Sequence, residues 1–282
     1  MTNVTFPAGA VSATATVTEV LPSLSAVMTD STPFHPVDHT WPDQPADTGT
    51  IEGEAVSDVV MAARSPEGEW LLGESIPVKR GTEGWAWAIA HIVHDATRFT
   101  VGHRADLRVE ADRRQALSIG HTACHLASLA LNAALAGYWS KDARPDALGR
   151  PDFDGTANQR SRILASGARD EFRLGKSLRK KGFDTARLPA SLPELQGAVN
   201  RRLDAWIATA AAVRITTEGP NITDLRKWVC ELPEGTASIA CGGTHVTSLT
   251  ELGAVSVTLT AEDPQLLVME TSAAALSSGS AA

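Results

Sequence analysis

Four side chains in two short motifs carry the chemistry this sequence offers. His121-Thr122-Ala123-Cys124-His125 and Cys241-Gly242-Gly243-Thr244-His245 each place two metal-binding residues four positions apart. Together they supply three imidazoles and one thiolate, the number and kind of donors that a tetrahedral zinc site takes. A helical His-x-x-x-His alone is a weak signal, frequent by chance. The Cys-x-x-x-His segment is stronger, because two glycines between its ligands let the backbone bend tightly and turn both onto one ion. Cys124 lies between the histidines and points away from their shared helix face, so it is read as a core cysteine, and Cys230 likewise. Ligand count leaves a closed structural site and a catalytic site both open. At 282 residues and 43% apolar content the chain can build a core without a metal staple, which favours a working metal: one that polarises a carbonyl, acidifies a water or positions a substrate.

The elements that must position these residues can be read from the pattern. Residues 116–138 are rich in Ala and Leu and free of Pro, long enough for a buried helix with His121 and His125 one turn apart on one face. Residues 192–212 predict a second helix, with Ser191 as cap, Glu194 completing a capping box, Pro193 in the first turn, and Leu195, Val199, Leu203, Trp206 and Ile207 as its apolar stripe. Before residue 113 the signals are those of strands. Residues 12–28 alternate branched apolar and small polar residues around a turn at Leu21-Pro22-Ser23, and strand-like runs follow at 51–55, 59–62, 86–94 and 107–110. Runs at 213–216, 238–240 and 254–259 add strands to the second part. The fold class expected is α+β. Its parts would be a flexible start (1–11), a β-rich subdomain (12–115) holding a Pro-, Asp- and His-rich loop at 34–49, a zinc-bearing α+β domain (116–262), and a final strand or tail (263–282), mostly disordered.

Composition narrows the partners. The net charge is −8, yet residues 141–202 hold 14 Lys and Arg against 8 Asp and Glu. The densest basic stretch is Arg173, Lys176, Arg179, Lys180, Lys181 and Arg187, which reads either as a solvated helix face or as a phosphate-contacting patch. Apolar stretches such as 126–136 are shorter than the roughly twenty residues of a membrane span. The start lacks a basic region followed by an unbroken apolar block, so no signal peptide is expected. Three cysteines without short-range pairing fit a reducing cytoplasm with thiols available for metal.

The two motifs, in this order, resemble the alanyl-tRNA editing family, comprising the freestanding AlaX proteins and the related editing domains of alanyl- and threonyl-tRNA synthetases. Asp112-Arg113-Arg114 ahead of His121, the His-Thr-Ala-x-His-Leu sequence, Cys-Gly-Gly-Thr-His-Val followed by Thr250-Glu251-Leu252-Gly253, the segment from His91 to Gly102, and Asp47-Thr48-Gly49 after Gln44-Pro45 are all similar to family signatures. The likeness spans roughly residues 12–260. It implies a β-barrel-like subdomain beside a zinc-bearing α+β editing domain that hydrolyses misacylated tRNA in trans, with His121, His125, Cys241 and His245 on the metal. One departure bears on the substrate. Where the family carries a glycine-rich loop, this chain has Phe34-His35-Pro36-Val37-Asp38-His39-Thr40-Trp41-Pro42-Asp43-Gln44-Pro45, without the glycines and about three residues longer. In the family this loop approaches the amino-acid pocket. Serine on alanine tRNA therefore shares the field with another small β-hydroxy amino acid, threonine or an analogue such as fluorothreonine.

On this reading Gln44, Trp41, Thr244 and Gly243 line the substrate, Asp38, His39 or Asp43 contacts its amino group or moves a proton beside a metal-bound water, and Arg173, Lys176, Arg179, Lys180 and Lys181 hold tRNA phosphates. No obligatory protein partner is expected. Two other classes compete: a non-catalytic tRNA-binding module with a structural zinc, and a metallohydrolase acting on a small ester or amide. The first predicts binding without ester cleavage, the second turnover indifferent to the basic stretch.

Overall fold

A computed structural model of the chain describes residues 1–274. It is a mixed α+β structure whose contacts divide it into two units: residues 1–115, 215–227 and 241–244 in one, and residues 116–214, 228–240 and those from 245 onward in the other.

In the first unit the alternating segment 12–28 forms two antiparallel strands, Ser12–Leu21 and Ala26–Thr29. They are joined by a short 3-10 turn at Pro22–Leu24 and by Ser25 in the left-handed region. They belong to a seven-stranded antiparallel sheet with the order Gly49–Ile51, Arg104–Val109, Ser12–Leu21, Ala26–Thr29, Ala86–Val93, Glu54–Arg64, Trp70–Leu72. The short strand Gly49–Ile51 pairs on both sides, with Arg104–Val109 and with Glu54–Arg64, so neither of its edges is open. That double pairing needs a bare α-carbon at Gly49, because a Cβ there would overlap the carbonyl oxygen of Arg108. Val27, Phe34, Ile51, Val59, Met61, Trp87, Ile89 and Leu107 fill the main core against one face of this sheet. Three alanines, Ala26, Ala62 and Ala90, pack on the other with Met28.

The N-terminal residues differ from expectation. Residues 1–11 are tied down rather than loose. Asn3–Val4 pairs in parallel with Ser31–Thr32, Thr2 and Phe6 are buried, and the backbone N–H of Val4 bonds to the carbonyl of Pro220.

The second unit is built on helix α1 (Ala111–Ala134) and a four-stranded antiparallel sheet ordered Asn158–Leu164, Gly167–Arg173, Leu266–Ala273, Val255–Thr260. Helix α1 begins five residues earlier than its apolar pattern suggests. Asp112 stands in its first turn, where a carboxylate favours the helix dipole. Gly120 lets α1 approach the hairpin between the first two strands, since a Cβ would collide with the backbone of Leu164 and Gly167. Two short helices follow, α2 (Asp154–Ala157) and α3 (Lys176–Lys180), and then α4 (Leu188–Ile207). Helix α4 packs on the edge strand Val255–Thr260, whose residues alternate buried and exposed. Side-chain amides of the helix complete that edge: Asn200 accepts from the N–H of Val257 at 2.7 Å and donates to its carbonyl at 3.1 Å, and Gln196 accepts from the N–H of Leu259 at 3.0 Å. An open strand edge is thereby satisfied without a further strand.

The second helix also corrects the sequence reading. Pro189, not Pro193, takes the first turn, Pro193 lies inside the helix, and Ser191 bonds back to the carbonyl of Arg187 instead of capping. Of the expected stripe, Leu195, Val199, Leu203 and Trp206 are buried, and Ile207, at the end of the helix, is only half-buried. Two strands, Asn158–Leu164 and Gly167–Arg173, lie where the sequence showed mainly charge. In the first of them Ile163 alone is buried, as suits an edge strand. The expected tail contains the strand Leu266–Ala273, and residues 275–282 lie outside the described residues. A three-stranded sheet, Val213–Thr217, Arg226–Leu232 and Gly235–Ala240, leads into Cys241. No helix among the described residues is long and apolar enough to cross a membrane.

Beneath α1, the strand Gly167–Arg173 carries Asp170, fully buried, with the Cys124 thiol donating to it at 3.5 Å. Burial pushes the Asp170 carboxyl up to about 7. The folded state therefore holds a proton there that the unfolded chain releases above about pH 4, so stability falls as pH rises between about 4 and 7. Asp170→Asn removes this dependence. In urea unfolding at pH 5 and pH 8, the wild type loses on the order of a few kcal/mol relative to the variant at the higher pH. Gly120→Ala, which forces α1 away from the hairpin, costs about 1–3 kcal/mol in the same measurement.

Candidate metal centre and its surroundings

Helix α1 turns His121 and His125 to one face because they are one helical turn apart. Their ring centroids stand 4.9 Å apart. His245 approaches both, at 4.3 Å from His121 and 5.0 Å from His125. With Cys241 the three imidazoles form a group whose ligand atoms all lie within 4.8 Å of one another. Bond lengths of about 2.0–2.3 Å in a tetrahedral zinc site put donors about 3.3–3.8 Å apart, so the four side chains need only small movements to share one ion.

The donor chemistry fits a metal. His125 Nε2 is buried without a hydrogen-bond partner, which in a polar side chain is costly unless something coordinates it. Burial pushes the His125 imidazole down to about 4, so it is neutral at physiological pH, as a ligand must be. The Cys241 thiol is pushed up to about 12, mainly by burial, against the opposing influence of the Gly243 N–H at 3.4 Å. A divalent cation reverses that preference by binding the thiolate. The indole of Trp228, fully buried, stands 5.2 Å from the His125 ring and walls that side with an apolar surface.

A residue between the two histidines fixes the third. The Thr122 hydroxyl donates to the Ser118 carbonyl at 2.9 Å, accepts the N–H of Val246 at 3.2 Å, and stands 3.1 Å from His245 Nδ1. A hydroxyl has one hydrogen, and the Ser118 carbonyl takes it. His245 Nδ1 must then be the donor, which leaves Nε2 with its lone pair for a metal and locks the ring orientation. Thr122 was not singled out from the sequence. Its position inside the His-Thr-Ala-x-His motif was visible, but the partner of its hydroxyl is 123 residues away.

The loop at 34–49 is held by groups that the sequence reading had offered to substrate. Gln44, 1% exposed, donates from Nε2 to Thr244 Oγ1 at 2.9 Å and accepts the Thr244 N–H on Oε1 at 3.0 Å. Its amide thus grips the Cys-Gly-Gly-Thr-His segment. Asp47 is buried in a network with Arg114, whose guanidinium also donates to the Pro33 carbonyl at 2.7 Å, and Asp47 accepts the His35 N–H. This gives the Asp47-Thr48-Gly49 and Asp112-Arg113-Arg114 signatures a physical role: they clamp both ends of the loop.

Asp38 accepts from the N–H and hydroxyl of Thr40 and pairs with Arg80 at 3.0 Å. Burial raises its carboxyl, and the Thr40 bonds and Arg80 outweigh that, holding it below its ordinary value. His39 bonds through Nε2 to the Val78 carbonyl at 2.9 Å and lies against Trp87. Asp43 behaves differently, since burial raises its carboxyl to about 6. Trp41 is 47% exposed, Gly243 is buried, and the five basic residues Arg173, Lys176, Arg179, Lys180 and Lys181 are all exposed, with no ion pair to any of them among the described residues.

No family model matches the chain. Among curated proteins, the alanyl-tRNA editing protein AlaX-M of Pyrococcus horikoshii is 26% identical over 231 residues, covering 81% of this chain and 77% of that protein. Replacing Thr122 by Val keeps the side chain's shape and removes the acceptor for His245 Nδ1. Zinc affinity, measured by competition with a chromophoric chelator, falls about 10- to 100-fold, and thermal stability without metal changes much less.

Proposed function

We propose, from the premise that this chain belongs to the AlaX family of alanyl-tRNA editing proteins, that it is a zinc-dependent aminoacyl-tRNA deacylase acting in trans. The observation that carries the proposal is the convergence of His121, His125, Cys241 and His245 within 4.8 Å of one another. A zinc ion held there would supply a Lewis acid towards the ester carbonyl or towards water. The chain's own residues do the rest. Thr122 orients His245, Gln44 fixes the segment bearing Cys241 and His245, and Trp228 excludes water on one side. Asp38 and His39 shape the loop through Arg80 and Val78. Asp43 is the carboxyl suited to holding or moving a proton near neutral pH.

The substrate we propose is a tRNA carrying a small β-hydroxy amino acid, threonine or an analogue such as fluorothreonine, or serine on alanine tRNA. Support comes from the loop, where buried and ion-paired side chains stand in place of glycines. Discrimination by such a site rests on polar groups that the wrong amino acid leaves unpaired. Exposed Arg173, Lys176, Arg179, Lys180 and Lys181 are proposed to meet tRNA phosphates, with the cytoplasm as the place of action.

The test is deacylation by the zinc-loaded protein of tRNAs charged with alanine, serine, threonine and a halogenated threonine. Selective release of one β-hydroxy amino acid, abolished by His121→Ala, is expected. Release of none, with tRNA still bound, would replace the deacylase by a binding module with a structural zinc. Neutralising Lys176, Lys180 and Lys181 together raises KM for charged tRNA and lowers the slope of log(kcat/KM) against log[salt] by roughly two to three. Turnover indifferent to those changes would favour a small-ester metallohydrolase.

A further inference from the structure

Within the first unit, two guanidinium groups lean over one bare α-carbon. A Cβ on Gly242, the residue after the candidate metal ligand Cys241, would stand 3.8 Å from Arg80 Nη1 and 3.9 Å from Arg226 Nη2. Gly242 is partly exposed, and so is Arg80. Arg226 is only 5% exposed. Its Nη1 donates to the Asn221 carbonyl at 3.2 Å and its Nη2 to the Ile222 carbonyl at 3.1 Å, both neutral acceptors. Its guanidinium lies 5.5 Å from the centre of the Phe6 ring. Its Nε is buried without a hydrogen-bond partner. No carboxylate forms an ion pair with Arg226 among the described residues. Burial, and then the neighbouring charge of Arg80, push its guanidinium down to about 10 against the weaker pull of Asp224 and Asp38, so it stays protonated at neutral pH. On the other side one carboxylate, Asp38, bonds to Arg80 at 3.0 Å through one oxygen, while Thr40 and the Trp41 N–H occupy the other. Two cations thus share a single paired carboxylate, and the more buried of them keeps donor capacity unused.

A buried cation beside a second cation is stabilised by an incoming anion that accepts from both, and the planar fork of a guanidinium matches the oxygens of a phosphate. The amino acid of an aminoacyl ester cannot be that anion, because its carboxyl is spent in the ester and its remaining charge is positive. The anion such a substrate brings nearest to the bond is the phosphodiester on the 5′ oxygen of the same terminal ribose. We propose that Arg226 and Arg80, over Gly242, bind this terminal phosphodiester of the tRNA. The proposal rests on the deacylase reading and deepens it, because the phosphate is gripped one residue from a metal ligand. The segment that carries Cys241 then also sets the ribose that bears the ester. Arg226 is the principal contact, its position fixed by the Asn221 and Ile222 carbonyls, and Arg80 is the second, shared with Asp38. A side chain at Gly242 would stand where the anion binds.

The test uses the zinc-loaded full chain and two non-hydrolysable probes. Both are 3′-amino-3′-deoxyadenosine acylated with threonine on the 3′ nitrogen, one with a methyl phosphodiester on its 5′ oxygen and one with a free 5′ hydroxyl. The wild type binds the phosphodiester at least about 10-fold tighter. Arg226→Gln brings the two within about 3-fold of each other. Should that variant be unstable, Gly242→Ala gives an independent reading. Its methyl meets no atom outside the neighbouring residues closer than 3.8 Å, an ordinary contact, and the backbone there is not left-handed, so the fold accepts it. It too brings the probes within about 3-fold, with zinc content and Tm unchanged. Equal binding of the two probes by the wild type, or a difference that Gly242→Ala leaves intact, overturns the site. Inorganic phosphate, titrated into the zinc-free protein, binds at least about 10-fold more weakly than the phosphodiester probe does there. Equal or tighter binding would make this a site for a free anion and overturn the assignment. Release of amino acid from charged tRNA is followed in parallel. Hydrolysis together with equal binding of the two probes defeats the phosphate site and keeps the deacylase. The expected probe pattern without hydrolysis of any charged tRNA keeps the site and defeats the deacylase.

Discussion

Holding several imidazoles and a thiol together away from water is unfavourable unless each is fixed and something binds their lone pairs. That constraint organises the residues around the candidate metal centre. Helix α1 supplies two imidazoles in phase, and Gly120 lets the helix sit directly on the backbone of the Leu164–Gly167 turn. The third imidazole comes from an irregular segment and has no helix to hold it. Its orientation depends on the Thr122 hydroxyl, which in turn is oriented by the Ser118 carbonyl one turn back on α1. A single hydroxyl thus transfers the order of the helix to a loop ligand, and the same oxygen receives the Val246 N–H beside that ligand. The hydrogen-bond count at this one atom decides which nitrogen of His245 carries a proton.

A comparable economy holds the first unit's loop. A segment without glycines, between strands, must place several backbone polar groups with no ladder to satisfy them. Asp47 and Arg114 do this at the two ends, and Asp38 with Thr40 and Arg80 in the middle. The mutual bonds between Gln44 and Thr244 complete the arrangement. A buried ion pair such as Asp47–Arg114 adds little net stability compared with apolar packing, but removal of one partner is severe, so it serves to specify one conformation. The longer, glycine-poor loop is therefore a structured replacement, with its polar side chains mostly committed to other groups of the protein.

What could be read from the sequence follows from how local each signal is. The two histidines of α1 were legible because a helix period is local, and Cys241 and His245 because their motif is short. The start of α4 was misplaced for a local reason too. Pro189 and Pro193 both suit a first turn, and Ser191 with Glu194 imitates a capping box, so the pattern has two equally good origins. The strands Asn158–Leu164 and Gly167–Arg173 were hidden by their arginines, which an edge strand tolerates because one face meets water. Thr122 and Arg80 were illegible because each acquires its meaning from a partner distant in sequence. Gln44 shows the reverse error: a polar residue in a candidate substrate loop whose hydrogen-bonding groups are engaged by the protein.

Charge gives the remaining step. The chain is acidic as a whole, and its basic residues in 173–181 are exposed. A polyanion such as the proposed tRNA substrate would find favourable charge on the exposed stretch and unfavourable charge over most of the remaining surface. Exposed cations act through solvent and are weakened by salt, whereas buried polar groups of the loop at 34–49 act at short range and with little screening. On the proposed reading, affinity for tRNA and selection of the amino acid it carries are therefore set by separate groups.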